Sequence, residues 1–254
     1  MIDYDFSGKT IVVTGSARGI GRRIGERFYE AGGNVAFCSV SPHGKEELMQ
    51  EVAGDDRSRI MAKAVDVSQP HEVADFFRTV VDTFGGFDIL INNAGVYSKE
   101  DILDITEEDW NRVLDTDLKS VFFASQWFCR HHIDAGTSGA IVNIASINSV
   151  IPIPDCTLYN VSKVGVVTLT KTFARAMGQN GIRVNAVGPG SIPTDLNASL
   201  YADKSNEVAL CEKLPLGRRG TKDEIAQCVM FLASDDASYV TGQTLYVEGG
   251  WLLT

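Results

Sequence analysis

Residues 10–21 read TIVVTGSARGIG: a β-branched apolar run, then glycines at 15, 19 and 21 spaced as G-x-x-x-G-x-G, then helix formers up to Gly32-Gly33. The run predicts a strand, the glycines a turn and the following residues a helix. Glycine reaches backbone angles closed to other residues and lets a ligand approach the main chain, while free amides at a helix start attract an anion. A glycine turn between strand and helix therefore predicts a cradle for a pyrophosphate, and with it a dinucleotide.

The same unit recurs along the chain. Residues 35–40 form a second apolar run, followed by a polar turn around Pro42 and a helical stretch over 44–53, and residues 60–65 predict a third strand ending at Asp66. Pro70 opens a helix in which Val73, Phe76, Phe77, Val80, Val81 and Phe84 recur at three- and four-residue spacings. Residues 87–91 (FDILI) predict a strand ending at Asn92-Asn93-Ala94-Gly95. A pattern through Trp110, Leu114, Val121, Ala124 and Phe128 predicts one long helix over about 107–132, and residues 140–144 a fifth strand. A helix over 157–178, a strand over 183–187, a polar irregular stretch over 191–220 with one short helix, a helix over 222–234 and a strand over 243–247 complete the chain. Seven strands alternating with helices predict a single-domain α/β structure, a doubly wound Rossmann-type fold with a seven-stranded, mostly parallel sheet. No linker divides residues 1–254, and 254 residues suit one domain of this kind.

Composition narrows the partners. Lys plus Arg number 23 against 33 Asp plus Glu, a net charge of −10 that repels polyanions and argues against nucleic acid. Cys38, Cys129, Cys156, Cys211 and Cys228 are odd in number and never in C-x-x-C form, which points away from disulfides and zinc ribbons and towards the reducing cytoplasm. The start, Met1-Ile2-Asp3-Tyr4-Asp5, has no basic region before an apolar stretch, and no run approaches the ~18 apolar residues that a membrane span requires. His43, His71, His131 and His132 form no ligand set with the cysteines, so no metal is expected.

Three residues carry the chemistry. Ser146 follows the fifth strand, and Tyr159 and Lys163 stand at i and i+4 on the next helix, which puts phenol and ammonium on one face. Free tyrosine titrates near pH 10, and a neighbouring ammonium or an oxidised nicotinamide lowers that value, so Tyr159 suits proton transfer while Ser146 holds a substrate oxygen. At the end of the second strand, where a site for NAD often presents an acid to the ribose, this chain has Cys38-Ser39-Val40-Ser41. The missing acid leaves room for a 2′-phosphate, with Arg18, Ser39, Ser41 and Lys45 as candidate donors, so the cofactor expected is NADP or NAD, with NADP slightly preferred.

With these motifs in hand, the sequence resembles the short-chain dehydrogenase/reductase family over nearly all of its length. The marks are TGSARGIG at 14–21, Asp66-Val67, NNAG at 92–95, Ser146, YNVSK at 159–163 and GPGSIPT at 188–194. The resemblance implies that Tyr159 is the general acid/base, that Ser146 orients the substrate oxygen, and that Lys163 binds the nicotinamide ribose and favours the phenolate. It further implies an adenine contact at Asp66 and the Val67 amide, a cofactor cleft lined by Gly15, Gly19, Ile20, Gly21, Asn93, Ala94 and Gly95, and nicotinamide-side contacts at Pro189, Gly190, Ile192 and Thr194. One mark departs: where many members carry Asn in an N-L-x-x-x-F context, this chain has Asp117-Leu118-Lys119-Ser120-Val121-Phe122. The family Asn offers a backbone carbonyl to a water linked to the lysine, so Asp117 is expected chiefly to keep that carbonyl role, with a catalytic carboxylate as the alternative.

The substrate segment is residues 191–215. Asn148, Asp155, Asn197 and Trp251 are candidates to face a polyhydroxylated ligand. Residues 232–250 resemble sugar 1-dehydrogenases and 3-oxoacyl-thioester reductases, and PGSIPTDLN at 189–197 resembles the loop of aldose dehydrogenases. The expected reaction is oxidation of a cyclic aldose to its lactone. The alternatives are reduction of a 3-oxoacyl thioester or another small ketone, with Arg218-Arg219 as the patch for an acidic carrier, and a non-catalytic nucleotide-sensing or assembly protein. The resemblance also implies a homotetramer with the helix over 107–132 and the helix from about 157 at one interface.

Overall fold

β1 (Thr10–Thr14), β2 (Asn34–Ser39), β3 (Ile60–Ala64), β4 (Ile89–Asn92), β5 (Gly139–Ile144), β6 (Ile182–Pro189) and β7 (Thr244–Val247) lie in one sheet. Their order is β3-β2-β1-β4-β5-β6-β7, and every neighbouring pair is parallel. The computed structural model describes residues 4–41, 44–195, 197–198 and 203–254, so Pro42, His43 and part of the segment 191–215 lie outside the described residues. The helices are α1 (Gly19–Glu30), α2 (Lys45–Ala53), α3 (Pro70–Phe84), α4 (Glu107–Leu114), α5 (Ser120–Ala135), α6 (Thr157–Met177), α7 (Lys204–Lys213) and α8 (Lys222–Ala233).

The period of two in β1 shows how the sheet divides its helices. Ile11 and Val13 pack with Ile24 and Phe28 of α1 and Ile225 and Val229 of α8, whereas Val12 faces Phe76, Phe77 and Val80 of α3 and Phe128 of α5. Both sheet faces are therefore covered, as parallel strands require, because their backbone crossovers must pass over one face or the other. The chain leaves β1 for β2 on one side and reaches β4 on the other, so the order reverses at β1. In open sheets of this kind the crevice beyond the carboxyl ends at that reversal is the ligand site.

One expected element is divided. In place of a single helix over 107–132, α4 and α5 are separated by a wide π turn, Asp115–Lys119, in which the Ser120 amide bonds the Asp115 carbonyl five residues back. The cause is local: the Thr116 hydroxyl donates to the Arg112 carbonyl at 2.8 Å, and the Ser120 hydroxyl donates to the Thr116 carbonyl. Such back-bonded hydroxyls loosen the helical ladder. An apolar pattern that skips across the turn does not reveal the extra residue. All five cysteines are free, and among the described residues no helix is long and apolar enough to cross a membrane.

Candidate active site

A cleft of about 1440 Å³ runs along the carboxyl ends of the strands. It is lined by Gly15, Arg18, Gly19, Ile20, Gly21, Ser39, Asp66, Val67, Asn93, Ala94, Gly95, Ser146, Asn148, Tyr159, Lys163, Pro189, Gly190, Ile192, Thr194 and Asn197. Of the candidate cofactor, catalytic and substrate residues read from the sequence, Asp117, Lys45 and Asp155 do not line this cleft.

The glycine loop is held by main-chain and hydroxyl contacts. Gly15 has φ +62°, and a Cβ there would stand 2.6 Å from the Ala94 Cα, so only glycine lets the loop lie against the end of β4. The Ser16 amide bonds the Cys38 carbonyl at 2.9 Å, and the Cys38 amide returns a bond to the Ser16 hydroxyl at 3.0 Å, fastening the loop to β2. Asn93 and Ala94 donate their amides to the Thr14 hydroxyl at 3.0 and 3.1 Å, and the Asn93 side chain donates to the Thr14 and Gly15 carbonyls at 2.9 and 3.0 Å. Asn93 thus shapes the cradle through the loop. This close-packed turn ahead of α1 has the free amides and open approach that a pyrophosphate needs, so the residues present fit a dinucleotide.

At the end of the cleft beside β2, Arg18, Ser39 and Ser41 line it, with no acid directly after β2. Arg18 is 74% exposed and sits 3.5 Å from the equally open Asp195, a contact too solvated to hold it firmly. Lys45, a candidate from the sequence, does not line the cleft, whereas Arg22, Glu47 and Glu51 do. Arg22 is bonded to Glu26 and Glu51. These α2-facing groups carry no signal in the motifs; only the way α2 folds over the loop brings them in.

At the end of the cleft formed by β5 and α6, Ser146 is 7% and Lys163 is 3% exposed, and Tyr159 also lines the cleft. The Ser146 hydroxyl donates to Asn148 Oδ1 at 3.1 Å and accepts the Asn148 amide at 3.2 Å. Asn148, which lines the cleft, donates one of its two amide N–H groups from Nδ2 to Asn160 Oδ1 at 2.7 Å. Lys163 Nζ lies 5.2 Å from the Tyr159 ring centre and donates to the Ile144 carbonyl at 3.3 Å. Burial pushes the Tyr159 phenol up, the Lys163 ammonium and the Ser146 hydroxyl pull it down, Asp117 adds to the rise, and the net direction is upward. The arrangement can hold a substrate oxygen between Ser146 and Tyr159 and pass one proton through Tyr159.

Asp117 lies behind the cleft, fully buried, with Oδ1 accepting the Val96 amide at 2.7 Å and Oδ2 3.4 Å from Lys163 Nζ. Sequence reasoning missed Tyr97, which packs edge-on to Tyr159 at 5.4 Å while its hydroxyl meets the Cys156 sulfur at 2.8 Å. Its position two residues beyond NNAG was the available signal. Asp155, the one non-glycine residue with positive φ among those described, does not line the cleft; it pairs with Lys99 at 3.7 Å and its carbonyl accepts the Glu100 amide. Asn197 lines the cleft, but its Oδ1 accepts from Thr194 and Arg219 and its Nδ2 donates to the Ile192 carbonyl, so it organises the loop after β6. Arg218 and Arg219 are bound to Glu224 and Glu207 and do not form a free basic patch. Trp251 lines the cleft. His132 is held by Thr137 and the Phe87 carbonyl away from the cleft, and His43 lies outside the described residues.

A parallel sheet reversing at β1, a glycine cradle and a Ser-Tyr-Lys cluster define a nucleotide-dependent oxidoreductase. A family model described as enoyl-(acyl carrier protein) reductase matches residues 15–252. The chain is similar to the 3beta-hydroxysteroid dehydrogenase 1 of Eggerthella lenta, 40% identical over 98% of this chain and 95% of the relative. It is also similar to the 3-oxoacyl-[acyl-carrier-protein] reductase of Thermotoga maritima, 36% identical over 97% and 98%. A solved Agrobacterium tumefaciens structure with bound NADP, provisionally named a 2-deoxy-d-gluconate 3-dehydrogenase, superposes with a TM-score of 0.90 at 35% identity over 100% of both chains. The chain belongs to the short-chain dehydrogenase/reductase family and is an NAD(P)-dependent enzyme of that class.

Proposed function

We propose that this enzyme oxidises a cyclic aldose at C1 to its lactone, with Tyr159 taking the hydroxyl proton and Ser146 holding the oxygen. The observation that carries the reading is the Ser146–Asn148 pair: a buried hydroxyl for the reacting oxygen, tied at 3.1 Å to an amide with one N–H left for a neighbouring hydroxyl. A sugar presents such a hydroxyl one carbon away; a simple alcohol does not. When bound, NAD(P) supplies the hydride acceptor and, in its oxidised form, a positive charge. Gly15, Gly19 and Gly21 would hold its pyrophosphate, Asp66 and Val67 its adenine, and Pro189, Gly190, Ile192 and Thr194 its nicotinamide side. NADP is proposed over NAD because Arg18, Ser39 and Ser41 face the adenosine end with no acid at the tip of β2.

A second reading is favoured by a specific feature. Tyr97, Ile153 and Trp251 give the cleft an apolar side that suits a secondary alcohol on a hydrocarbon ring, in keeping with the name of the Eggerthella relative. Thioester reduction receives less support because Arg218 and Arg219 are already paired. The test is product analysis by NMR with aldoses labelled at C1: appearance of lactone or its hydrolysed acid supports the first reading, and ketone formed only from alicyclic alcohols replaces it with the second. The outward sides of α5 and α6 expose Phe122, Phe123, Val161 and Val164, which supports the proposed homotetramer; light scattering on the eluted protein measures it.

A further inference from the structure

The π turn between α4 and α5 delivers a carboxylate to a place where charge matters. Asp117 is 0% exposed, and its Oδ2 stands 3.4 Å from Lys163 Nζ and 3.5 Å from the Ser162 hydroxyl, while Oδ1 accepts the Val96 amide at 2.7 Å. A Cβ on Gly95 would lie 3.2 Å from Oδ2 and 3.4 Å from Nζ, so the bare backbone of Gly95, which lines the cleft beside Lys163, packs directly against this pair. An amide in place of the carboxylate would still accept from Val96. Its other end would be an N–H₂ group turned toward the Lys163 ammonium, a donor facing a donor. The carboxylate therefore does something at this position that a neutral isostere does not.

We propose that Asp117 is a positioning residue whose buried carboxylate holds the Lys163 ammonium and offsets part of the positive charge that Lys163 presents to Tyr159. The groups around this pair are few. Lys163, Ser162 and Tyr159 come from α6, Val96 and Tyr97 from the segment after β4, Ser146 from the end of β5, and Cys156 from the turn before α6. Lys99, Glu100 and Asp155 act on Cys156. Burial alone would lower the Lys163 ammonium, and Asp117 and Tyr159 together carry it above its ordinary value. Asp117 in turn is pushed up by burial and drawn back by Lys163, Val96 and Ser162.

The proposal rests on the reading that Tyr159 moves the substrate proton, and the experiment separates the two. Asp117→Asn removes the negative charge that opposes ionisation of Tyr159, so the acid limb of kcat/KM for alcohol oxidation should move to lower pH by about one unit, or about tenfold in rate at a fixed pH on the limb. A limb that stays in place with kcat and KM within about twofold of the parent would overturn the proposal. A second measurement uses the unaltered resting protein: the pH dependence of Lys163 acetylation by acetic anhydride, read by mass spectrometry. The expected midpoint lies above that of the exposed lysines; a midpoint below theirs, as for a buried lysine without a counter-charge, contradicts the pairing. Acetylation decides alone if the variant does not fold. It also reports on the pair without turnover, so a wrong substrate assignment leaves the proposal testable.

Discussion

Around β1, β2 and β4 the cleft is made of backbone: Gly15 packs on Ala94, Ser16 is laced to Cys38, and the Thr14 hydroxyl accepts two amides from the turn after β4. Around β5 and α6 it is made of side chains, with Ser146 bonded to Asn148, Asn148 to Asn160, and Lys163 Nζ 5.2 Å from the Tyr159 ring centre. On the proposed reading the first half accepts a ligand whose phosphates are always the same, a task that main-chain amides at a helix start perform without choosing among side chains. On the same reading the second half distinguishes substrates and moves a proton, and both tasks need groups that can be exchanged and tuned. Binding and chemistry should therefore fail separately when each half is altered.

The largest effect belongs to Tyr159→Phe. Turnover should fall by about 10²–10⁴-fold while cofactor binding, followed by fluorescence, stays within about twofold. Loss of binding on the same scale would erase the distinction between the halves. Gly15→Ala tests the other side: strain at a positive φ and the contact with Ala94 should raise the cofactor Kd by about tenfold or more. The turnover of whatever fraction is saturated should change much less. Asn148→Ala should raise KM for a hydroxyl-rich substrate by about tenfold and leave KM for a simple alicyclic alcohol nearly unchanged, which steady-state kinetics on the two classes would show. The smallest change is expected from the exposed Arg18: Arg18→Ala should weaken NADP binding by a few-fold, with NAD binding unaltered, since the contact is solvated.

The pH response follows from the same charges. Burial raises the Tyr159 phenol and Lys163 lowers it, so alcohol oxidation, which needs the phenolate, should rise with pH through an acid limb, and carbonyl reduction, which needs the phenol, should rise as pH falls. Rates in the two directions, measured with the same substrate pair, check the sign.

The fold was legible because β-branched runs and glycine turns repeat as one unit, and strand boundaries such as Thr10–Thr14 coincide with the apolar run itself. The glycine turn was legible for a related reason: Gly15 and Gly19 take positive φ and Gly21 packs against Asn93 and the Gly15 carbonyl with no room for a side chain. The π turn at Asp115–Lys119 was hidden, since one extra residue leaves apolar spacing almost unchanged and shows itself only in the Ser120-to-Asp115 bond. Lys45, a lesser candidate than Arg18 in the sequence, starts α2 and does not line the cleft. Asn197 illustrates what a polar loop hides: its place at the cleft is legible, but its bonds to Thr194, Ile192 and Arg219 appear only in the folded chain. Tyr97 went unnoticed because its partners, Tyr159 and Cys156, are about sixty residues away and meet it only in the folded chain.

The most direct measurement is the initial rate of reduced-nicotinamide formation by the purified protein, with NADP and NAD in separate assays, across aldoses, deoxyaldoses and alicyclic secondary alcohols. The expected result is aldose turnover with kcat/KM at least about tenfold above that for the alicyclic alcohols, and higher with NADP than with NAD. Silence with every aldose alongside turnover of a hydrocarbon-ring alcohol, or consumption of NADPH only with a 3-oxoacyl thioester, would contradict it.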